Sequence, residues 1–413
     1  MEMRKFKILM IAPSFPPYEF SEALVNAKLC LALMESGHTI HVISRPSEQF
    51  YTKDWSSVWE PLKAINFYVD ETPVKPIQRY WELFQAVLYF KLPLEGVRWA
   101  SKAVDLGLEL HQKHNYDLVM SRMPSNIAHL VGAKIKASTA LPWIANWNDP
   151  TENIRPGMNF QNRFQSYLIN RFVKTSFRNA DLNTFPSQLL WEHYNEKIIK
   201  TKTDKVKVIP HIGIHAEDFD VNQAPGKPIS ICHAGNMLSN VKALKVLKAF
   251  SKIKHEDRLA FQFHVFGVID PEMPGQIESL GLKEEIFCHA PKDYFSMLKS
   301  LAGFDYLMIL EAPYPKGILL LSKLSDYASI QRPIVAISPK VGVIADYLNE
   351  YGGGLILDNQ DEHAIYEGLR KIISKEISIE GSKALKNVFS PKVVVKQHEE
   401  SFYRCLGDNK KLV

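Results

Sequence analysis

The chain has 413 residues, of which 50 are Lys or Arg and 45 are Asp or Glu, and its formal net charge is +5. A prior of about 100–200 residues per domain predicts two or three domains with sizeable cores. A composition of 46% hydrophobic and 23% charged residues excludes wholesale disorder, a collagen-like repeat and a disulfide scaffold. So small a net charge does not indicate a nucleic-acid binder, and no nucleic-acid partner is expected.

The four cysteines are far apart and form no Cys-x-x-Cys pair or Cys/His cluster. This favours buried, reduced cysteines over a metal site. No apolar run reaches the ~18 residues that span a bilayer. Pro13, Pro16 and Pro17 interrupt the first apolar run, which we interpret as a strand and not as a signal peptide. We expect a cytoplasmic protein, with contact at the inner face of the plasma membrane as a further possibility.

Strand and helix patterns alternate along the first half of the chain. The apolar run 7–12 is typical of a strand buried in a parallel sheet. A helix follows, with Ser21 placed to cap it and Gly37 placed to end it. The next strand, 39–43, completes a βαβ unit, which predicts a parallel α/β sheet. Further strands are predicted at 116–120, 142–145, 180–184 and 205–210.

A second series of the same kind occupies the rest of the chain. It predicts two consecutive doubly wound halves, whose ligands bind beyond the carboxyl ends of the strands. The crevice between the halves is therefore the expected site. The predicted strands are 228–233, 261–267, 286–289, 306–310, 334–337 and 352–357, with helices at 241–252 and 390–406.

Short segments spread over nearly the whole chain carry a family resemblance. They are ILMIAPSFPP with SGHTIHVI, then 116–119, 142–150, 208–214, 233–236, 264–267, and 322–328 with 332–336. In this order they resemble the GT-B nucleotide-sugar glycosyltransferases, and more narrowly the family-4 group of retaining enzymes. The resemblance implies an α/β fold of two doubly wound Rossmann-like domains facing across a cleft.

The same resemblance implies the domain bounds. Residues 1–207 are expected to form the acceptor-side domain and 208–389 the nucleotide-sugar-binding domain. Residues 390–413 are expected to form a C-terminal helix that crosses back to the first domain. The chain departs from the group at 18–22, where many relatives carry a Gly-Gly pair, and at Ile318, where many carry the first of two glutamates.

The first candidate donor segment follows the strand at 228–233. A diphosphate leaving group needs positive charge and N–H donors that are already in place. Gly235 permits close approach of the backbone, Asn236 follows it, and Lys242 supplies charge at the next helix start. The alternative is an ordinary turn with a solvated lysine.

The second candidate donor segment opens a later helix. The amides of Leu321, Ser322 and Lys323 are expected to face the diphosphate, and Lys323 to neutralise its charge. The resemblance implies that Asp326 accepts hydrogen bonds from ribose hydroxyls, and the alternative is an acid in the first helical turn without a ligand. His289 either contacts the base or is a structural histidine.

The candidate acceptor side lies in the first half. Asn146, Asn148 and Asp149 follow an apolar strand, and Asp149 is the one of the three that can act as a base. Asn148 and Asp149 are the catalytic candidates, while Asn146 and Arg122 are candidates for acceptor binding. The alternatives are an Asx turn before the next proline and a surface arginine.

The region 155–180 contains no Asp or Glu. A helix of this composition fits an anionic membrane or a lipid-linked phosphate, so 155–178 is a candidate for peripheral membrane contact. The alternative is packing on the sheet, with basic side chains extended to solvent. Five basic residues are interleaved here with five aromatic residues: Arg155, Arg163, Arg171, Lys174 and Arg178 with Phe160, Phe164, Tyr167, Phe172 and Phe177.

The leading hypothesis is transfer of a sugar from a nucleoside diphosphate donor, with a UDP-sugar favoured, to a glycan or lipid-linked acceptor in cell-surface polysaccharide synthesis. Retention is implied by the resemblance alone. No metal or cofactor besides the donor is expected. Two alternatives stay open: a nucleotide-sugar 2-epimerase, and a non-catalytic glycan-binding or scaffold protein with a degenerate cleft.

Overall fold

The structure is a computed structural model that forms two compact units. Unit 1 comprises Met1–Ile212 and Pro391–Val413, and unit 2 comprises Gly213–Ser390. The residues that the structure describes are 4–45, 55–69, 78, 80–82, 84, 87–88, 96–123, 126–151, 163–214, 228–237 and 240–407.

The described part of unit 1 contains one parallel sheet. Its strands are β1 (Lys7–Ile11), β2 (Thr39–Ser44), β3 (Asn66–Tyr68), β4 (Leu118–Arg122), β5 (Trp143–Asn146), β6 (Leu182–Phe185) and β7 (Val206–Val208). They lie in the order β3-β2-β1-β4-β5-β6-β7, and every neighbouring pair is parallel. All residues of β4 are buried, as expected for a central strand covered on both faces.

Helices connect these strands. They are α1 (Ser21–Glu35), α2 (Glu60–Lys63), α3 (Val97–His114), α4 (Asn126–Thr139), α5 (Arg163–Asn179), α6 (Gln188–Tyr194) and α14 (Pro391–Cys405), with a π-helical turn at Asn195–Ile199. Phe20 is the N-cap residue of α1, and its side chain makes no capping bond. The predicted cap at Ser21 is therefore wrong, whereas Gly37 ends the helix with φ +86°.

The chain direction places the helices of unit 1 on two faces. Connections from β1 to β3 move one way across the sheet, and those from β3 to β6 move the other way. Because such crossovers are right-handed, α1 and α2 cover one face, and α3, α4 and α5 cover the opposite face. The strand order reverses between β1 and β4, so their carboxyl ends mark the switch point of this sheet.

The last helix belongs to unit 1, where α14 packs on α1. His38 Nε2 donates to Glu399 Oε1 (3.0 Å), and both side chains are buried. Phe6 N donates to the other ring nitrogen of His38 (3.1 Å), which fixes the tautomer. Tyr403 OH accepts from Arg4 N (2.9 Å). The end of the chain is thus hydrogen-bonded to its first βαβ unit.

Unit 2 contains the second parallel sheet. Its strands are β8 (Ile229–Ala234), β9 (Phe261–Phe266), β10 (Ile286–His289), β11 (Tyr306–Leu310), β12 (Ile334–Ser338) and β13 (Gly354–Asp358). The order is β10-β9-β8-β11-β12-β13, so the switch point lies between β8 and β11. Its helices are α7 (Asn240–Lys252), α8 (Met273–Ser279), α9 (Tyr294–Leu301), α10 (Ser322–Ile330), α11 (Val343–Tyr351), α12 (Glu362–Ile373) and α13 (Lys383–Val388), with a π-helical turn at Ile253–Asp257.

The α/β class and the doubly wound halves are confirmed. Each predicted strand overlaps an observed one, because most of the strands contain or adjoin an apolar run. The three residues of β3 were not predicted, since so short a strand carries little periodic signal. Among the helices of the described residues, none combines the length and apolar character needed to cross a membrane.

Candidate functional site

The turn after β8 is shaped around Gly235. This residue has φ +143°, a conformation that favours glycine. Gly235 N donates to Phe266 O (2.7 Å), so the turn is fixed to the end of β9. A Cβ atom on Gly235 would lie 2.6 Å from Cε of Lys323. Glycine is therefore required by the backbone conformation, and the end of the Lys323 side chain lies over it.

The first turn of α10 adds N–H donors to this lysine. Leu321 is the N-cap residue and offers no side-chain acceptor. The N–H groups of the first helical turn have no carbonyl one turn earlier to bond, and they lie at the positive end of the helix dipole. The structure thus brings Gly235, Leu321, Ser322 and Lys323 together. A cation, N–H donors and a glycine turn form an arrangement that can bind an anion.

Asp326 lies in the second turn of α10 and is buried. The alternative of an acid in the first turn is wrong, because α10 begins at Ser322. Asp326 Oδ1 accepts a hydrogen bond from Tyr294 OH (2.7 Å) on α9. The next residue, Tyr327, accepts at its hydroxyl oxygen from Ala234 N (3.1 Å). Two side chains that sequence reasoning missed, Tyr294 and Tyr327, therefore hold α10 against α9 and β8.

Three other predicted donor residues remain, and the structure describes the side chains of two of them. Asn236 is exposed, and its Oδ1 accepts from Val268 N (3.0 Å). His289 Nε2 shares a hydrogen bond with His264 Nδ1 (2.9 Å), and its ring stacks on Phe266 at 4.2 Å. These contacts fit the structural reading of His289. The backbone of Lys242 lies in the first turn of α7, and its side chain is outside the described residues.

Sequence reasoning also missed Glu311, which follows β11 at the switch point and is buried. A Cβ atom on Gly317 would lie 2.8 Å from Glu311 Oε1. Asn359 Nδ2 donates to Glu311 O (3.1 Å) and to Ala312 O (3.0 Å). The sequence could have identified Glu311, because an acidic residue directly after an apolar strand at a switch point lies at the usual ligand position.

In unit 1, Arg122 ends β4 at the corresponding position. It is 3% exposed, so the alternative of a surface arginine is wrong. Arg122 Nε donates to Asn26 Oδ1, and Asn26 Nδ2 donates in turn to Ser14 O (2.8 Å). Burial lowers the pKa of Arg122, yet a guanidinium stays charged in proteins. A fixed, buried cation therefore lies at the switch point.

Glu22 is the carboxylate that sequence reasoning missed here. Asn148 Nδ2 donates to Glu22 Oε1 across 126 positions of sequence. Burial raises the pKa of Glu22 to about 7, while the charge of Arg122 lowers it and that of Asp149 raises it. Glu22 thus lies within electrostatic reach of three predicted residues. The sequence feature that could have identified Glu22 is its position at the start of the helix that follows β1.

A small polar cavity adjoins this group within unit 1. The space open to the centre of a water molecule is about 10 Å³, room for about one water. Arg122, Asn146, Asn148 and His398 contribute to its lining. Among the described residues, Asn146 Oδ1, Asn148 Oδ1 and His398 Nδ1 have no hydrogen-bond partner. Burial lowers the pKa of His398 to about 3, which keeps the ring neutral. The cavity therefore presents buried polar atoms beside a cation.

The remaining predicted residues of this side have partners in the protein. Asn146 Nδ2 donates to Thr184 Oγ1 (3.0 Å). The carbonyl of Asp149 accepts from Tyr194 OH (2.7 Å). No group of three or more His, Cys, Asp or Glu side chains suited to hold a metal ion occurs among the described residues.

Two parallel sheets of this strand order, one per unit, define the GT-B fold. A glycosyltransferase from Rickettsia africae matches with a TM-score of 0.67 and 14% identity over 98% of this chain and 100% of that one. Sucrose-phosphate synthase from Thermosynechococcus elongatus matches with a TM-score of 0.67 and 13% identity over 98% of this chain and 100% of that one. Anabaena HepE, whose structure was solved in complex with UDP, matches with a TM-score of 0.59 and 15% identity over 98% of each chain. The sequence itself matches no protein-family model and no curated protein.

Proposed function

We propose that the protein is a glycosyltransferase that moves a sugar from a nucleoside diphosphate sugar to a glycan or lipid-linked acceptor. The observation that carries the proposal is the position of Lys323, which lies over Gly235 at the start of α10. This is a cationic, N–H-rich place beside the switch point of unit 2. A UDP-sugar is the favoured donor, in line with the UDP found in the HepE structure.

On the donor side, the diphosphate gains negative charge as its bond to the sugar breaks. Lys323 and the N–H groups of Ser322 stabilise that charge because they are already in place. With this cation supplied by the chain, the proposed reaction needs no metal ion. Asp326 is proposed to contact the ribose, and its bond from Tyr294 holds the carboxylate in position. Leu321, Asn236, Lys242 and His289 are proposed as further donor contacts.

On the acceptor side, the acceptor hydroxyl must lose a proton as its oxygen bonds to the sugar. Glu22 is suited to take it, because a carboxyl with a pKa near 7 exchanges protons at neutral pH. Asn148 orients Glu22, and Asp149 is the second candidate base. Arg122 and Asn146 are proposed to bind acceptor oxygens.

The finer features are part of the same proposal. Retention of anomeric configuration is supported by the sequence resemblance, as is a role in cell-surface polysaccharide synthesis. A lipid-linked acceptor places the reaction at the cytoplasmic face of a membrane, which the basic and aromatic residues of α5 suit. We propose a peripheral membrane contact on this basis, within 155–178.

The deciding experiment is titration of the purified protein with UDP, GDP, ADP and CDP, followed by calorimetry and by the shift in melting temperature. A ligand that binds only the folded state raises the apparent stability. One diphosphate is expected to bind and to lose affinity in Lys323→Ala. Absence of binding by all four at millimolar concentration contradicts the transferase and favours the scaffold alternative.

The products of turnover then distinguish the glycosyltransferase hypothesis from the 2-epimerase hypothesis. The protein is incubated with the sugar nucleotides of the base that binds, and the products are resolved by anion-exchange chromatography. A transferase, with water or an added glycoside as acceptor, releases the free nucleoside diphosphate. A 2-epimerase yields an isomeric sugar nucleotide instead, and this product would replace the proposed activity.

A further inference from the structure

Helix α5 presents an unusual solvent face for a helix on the outside of a domain. Phe164 is 62% exposed and Tyr167 is 60% exposed. The exposed positions continue along the same stripe with Arg171 and Arg178, at helical spacing. The other side of the helix is apolar in the ordinary way, because Val173 and the side chains near it are buried.

The structure therefore separates the aromatic residues that the sequence could only group. Phe177 is buried and stacks on Trp191 at 5.5 Å. For Phe177 the packing alternative is correct. For Phe164 and Tyr167 that alternative is wrong, because most of each ring faces solvent. Arg155 and Phe160 lie outside the described residues.

A second set of exposed aromatics lies on the same face of the sheet. Residues 80–82, 84 and 87–88 are helical, and Trp81 is 61% exposed. Trp81 and Phe84 stack on each other with ring centroids 5.5 Å apart. Glu82 forms an ion pair with Arg98 in the first turn of α3. This pair places the segment beside the start of α3.

The topology relates the two sets. Helices α3, α4 and α5 cover one face of the sheet in that order, with α3 packed on α4 and α4 on α5. Each of these helices begins at the carboxyl edge, where the preceding strand ends. Residues 80–82, 84 and 87–88 and the first turns of α5 therefore lie toward the same edge of the same face, on either side of α4.

Exposed aromatic side chains next to basic ones are uncommon on a protein surface that contacts only water. Of the nine exposed large hydrophobic side chains in the described residues, six belong to these two short segments. Large exposed apolar patches mark interaction surfaces. Basic charge on the same stripe, with no acid anywhere in α5, selects an anionic partner. Aromatic rings flanked by basic side chains are the chemistry of a helix that lies at a lipid interface.

We propose that α5 and residues 80–82, 84 and 87–88 form one docking surface for an anionic lipid bilayer. Phe164, Tyr167, Trp81 and Phe84 enter the interfacial layer, and Arg171, Lys174 and Arg178 contact lipid phosphates. The proposal deepens the membrane contact of the proposed function and rests on it for its biological purpose. The carboxyl edge of the sheet, with Arg122 and Glu22, faces the same way as the first turns of these helices.

The test is co-sedimentation of the full chain with vesicles of phosphatidylglycerol and, separately, of phosphatidylcholine. We expect binding to phosphatidylglycerol that weakens at high salt and little binding to phosphatidylcholine. Arg171→Gln with Lys174→Gln is expected to weaken binding about fivefold for each charge removed. Phe164→Ser with Tyr167→Ser is expected to weaken it tenfold or more, because buried apolar area is lost.

The chain offers a matched control in Val268→Ser with Val341→Ser. These two apolar side chains are exposed to a similar degree, but they lie in unit 2. The control variant is expected to bind vesicles as the parent chain does. Equal binding to both lipids, or equal loss in the control, overturns the proposal. A dimer by sedimentation equilibrium that Phe164→Ser with Tyr167→Ser dissociates also overturns it, in favour of a second copy.

The outcome does not depend on the donor site. Vesicle binding is measured without any nucleotide, and each variant is also titrated with UDP. A chain that binds vesicles but no nucleoside diphosphate keeps this surface and loses the proposed function. A chain that binds UDP but no anionic vesicle does the reverse.

Discussion

Asn148 donates a hydrogen bond from its side-chain amide to the carboxylate of Glu22, and so joins the loop after β5 to the first turn of α1. Burial at this junction holds the pKa of Glu22 near 7, above its ordinary value of 4.5. The native protein thus keeps a proton on Glu22 that the unfolded chain has already released. Stability linked to that proton is present at low pH and is lost as pH rises through 7.

The first prediction follows from this linkage. Glu22→Gln keeps the hydrogen-bond acceptor but cannot titrate. As pH rises from 4.5 to above 7, the parent chain is expected to lose about 3 kcal/mol of its free energy of unfolding that the variant keeps. Urea denaturation at several pH values measures the difference. Glu35→Gln, at the exposed far end of α1, is the control. A difference that stays constant with pH contradicts the raised pKa of Glu22.

The second prediction concerns Lys323. Its replacement by alanine removes a charged donor from the anion site and is expected to weaken UDP binding about 10–100-fold, since hydrogen bonds to charged groups contribute roughly 1.5–3 kcal/mol. Calorimetric titration measures the loss. Lys248→Ala removes an exposed lysine from α7 of the same unit and is expected to leave affinity unchanged. Equal affinities in the two variants would exclude Lys323 from the donor site.

A pair of glycines gives the third prediction. Gly235→Ala forces a side chain into a φ of +143° and against Lys323, at an expected cost of about 1–3 kcal/mol in stability. Gly275→Ala lies in α8, where a Cβ would meet nothing within 4 Å, and is expected to stabilise by up to about 1 kcal/mol. Thermal unfolding compares the two. Similar effects in both variants would mean that Gly235 is not conformationally required.

Adjacent acids on α14 supply the fourth prediction. Glu399→Ala leaves the N–H of the buried, neutral His38 ring without its acceptor and is expected to cost about 1–3 kcal/mol. Glu400→Ala breaks only a partly exposed pair with Lys207 and is expected to cost about 0–1 kcal/mol. Chemical denaturation of both variants tests the contrast. If Glu400 proves to be the costlier position, the His38–Glu399 bond does not anchor the helix.

The fifth prediction is acid sensitivity at His398. Its native pKa of about 3 lies below the ordinary 6.5, because burial disfavours the charged ring. The unfolded chain therefore binds a proton first, and stability is lost as pH falls below 6.5. At pH 5, His398→Gln is expected to recover about 2 kcal/mol of that loss. The exposed His255→Gln is the control, and equal recovery in both would contradict the assignment.

Local patterns were enough to predict the strands but not the polar network. Continuous apolar runs identified β1 and β8, because a parallel strand is covered on both faces and its whole length is apolar. Glu22 was overlooked because its importance depends on Asn148, which only the tertiary fold brings to it. Lys323 was found from the order of short segments along the chain. Its contact with Gly235 is long-range and was not derivable from spacing.

The aromatic residues of α5 show a different limit. Sequence composition grouped Phe164, Tyr167 and Phe177, although the phase of the helix puts the first two on the solvent side. A helical wheel would have separated them, provided that the buried side was known. That side is set by the sheet on which the helix packs, so the assignment needs the fold.

The return of α14 to unit 1 has a consequence for truncated forms of the gene product. Gly213 N donates to Phe389 O (2.7 Å), so the two ends of unit 2 are neighbours and this unit is an insertion within unit 1. A stop codon just before Pro391 therefore leaves the sequence of unit 2 complete. Unit 1 is the part that is truncated, because it loses the partner of His38 and the helix that packs on α1. Unit 2 is correspondingly the piece to excise and express alone.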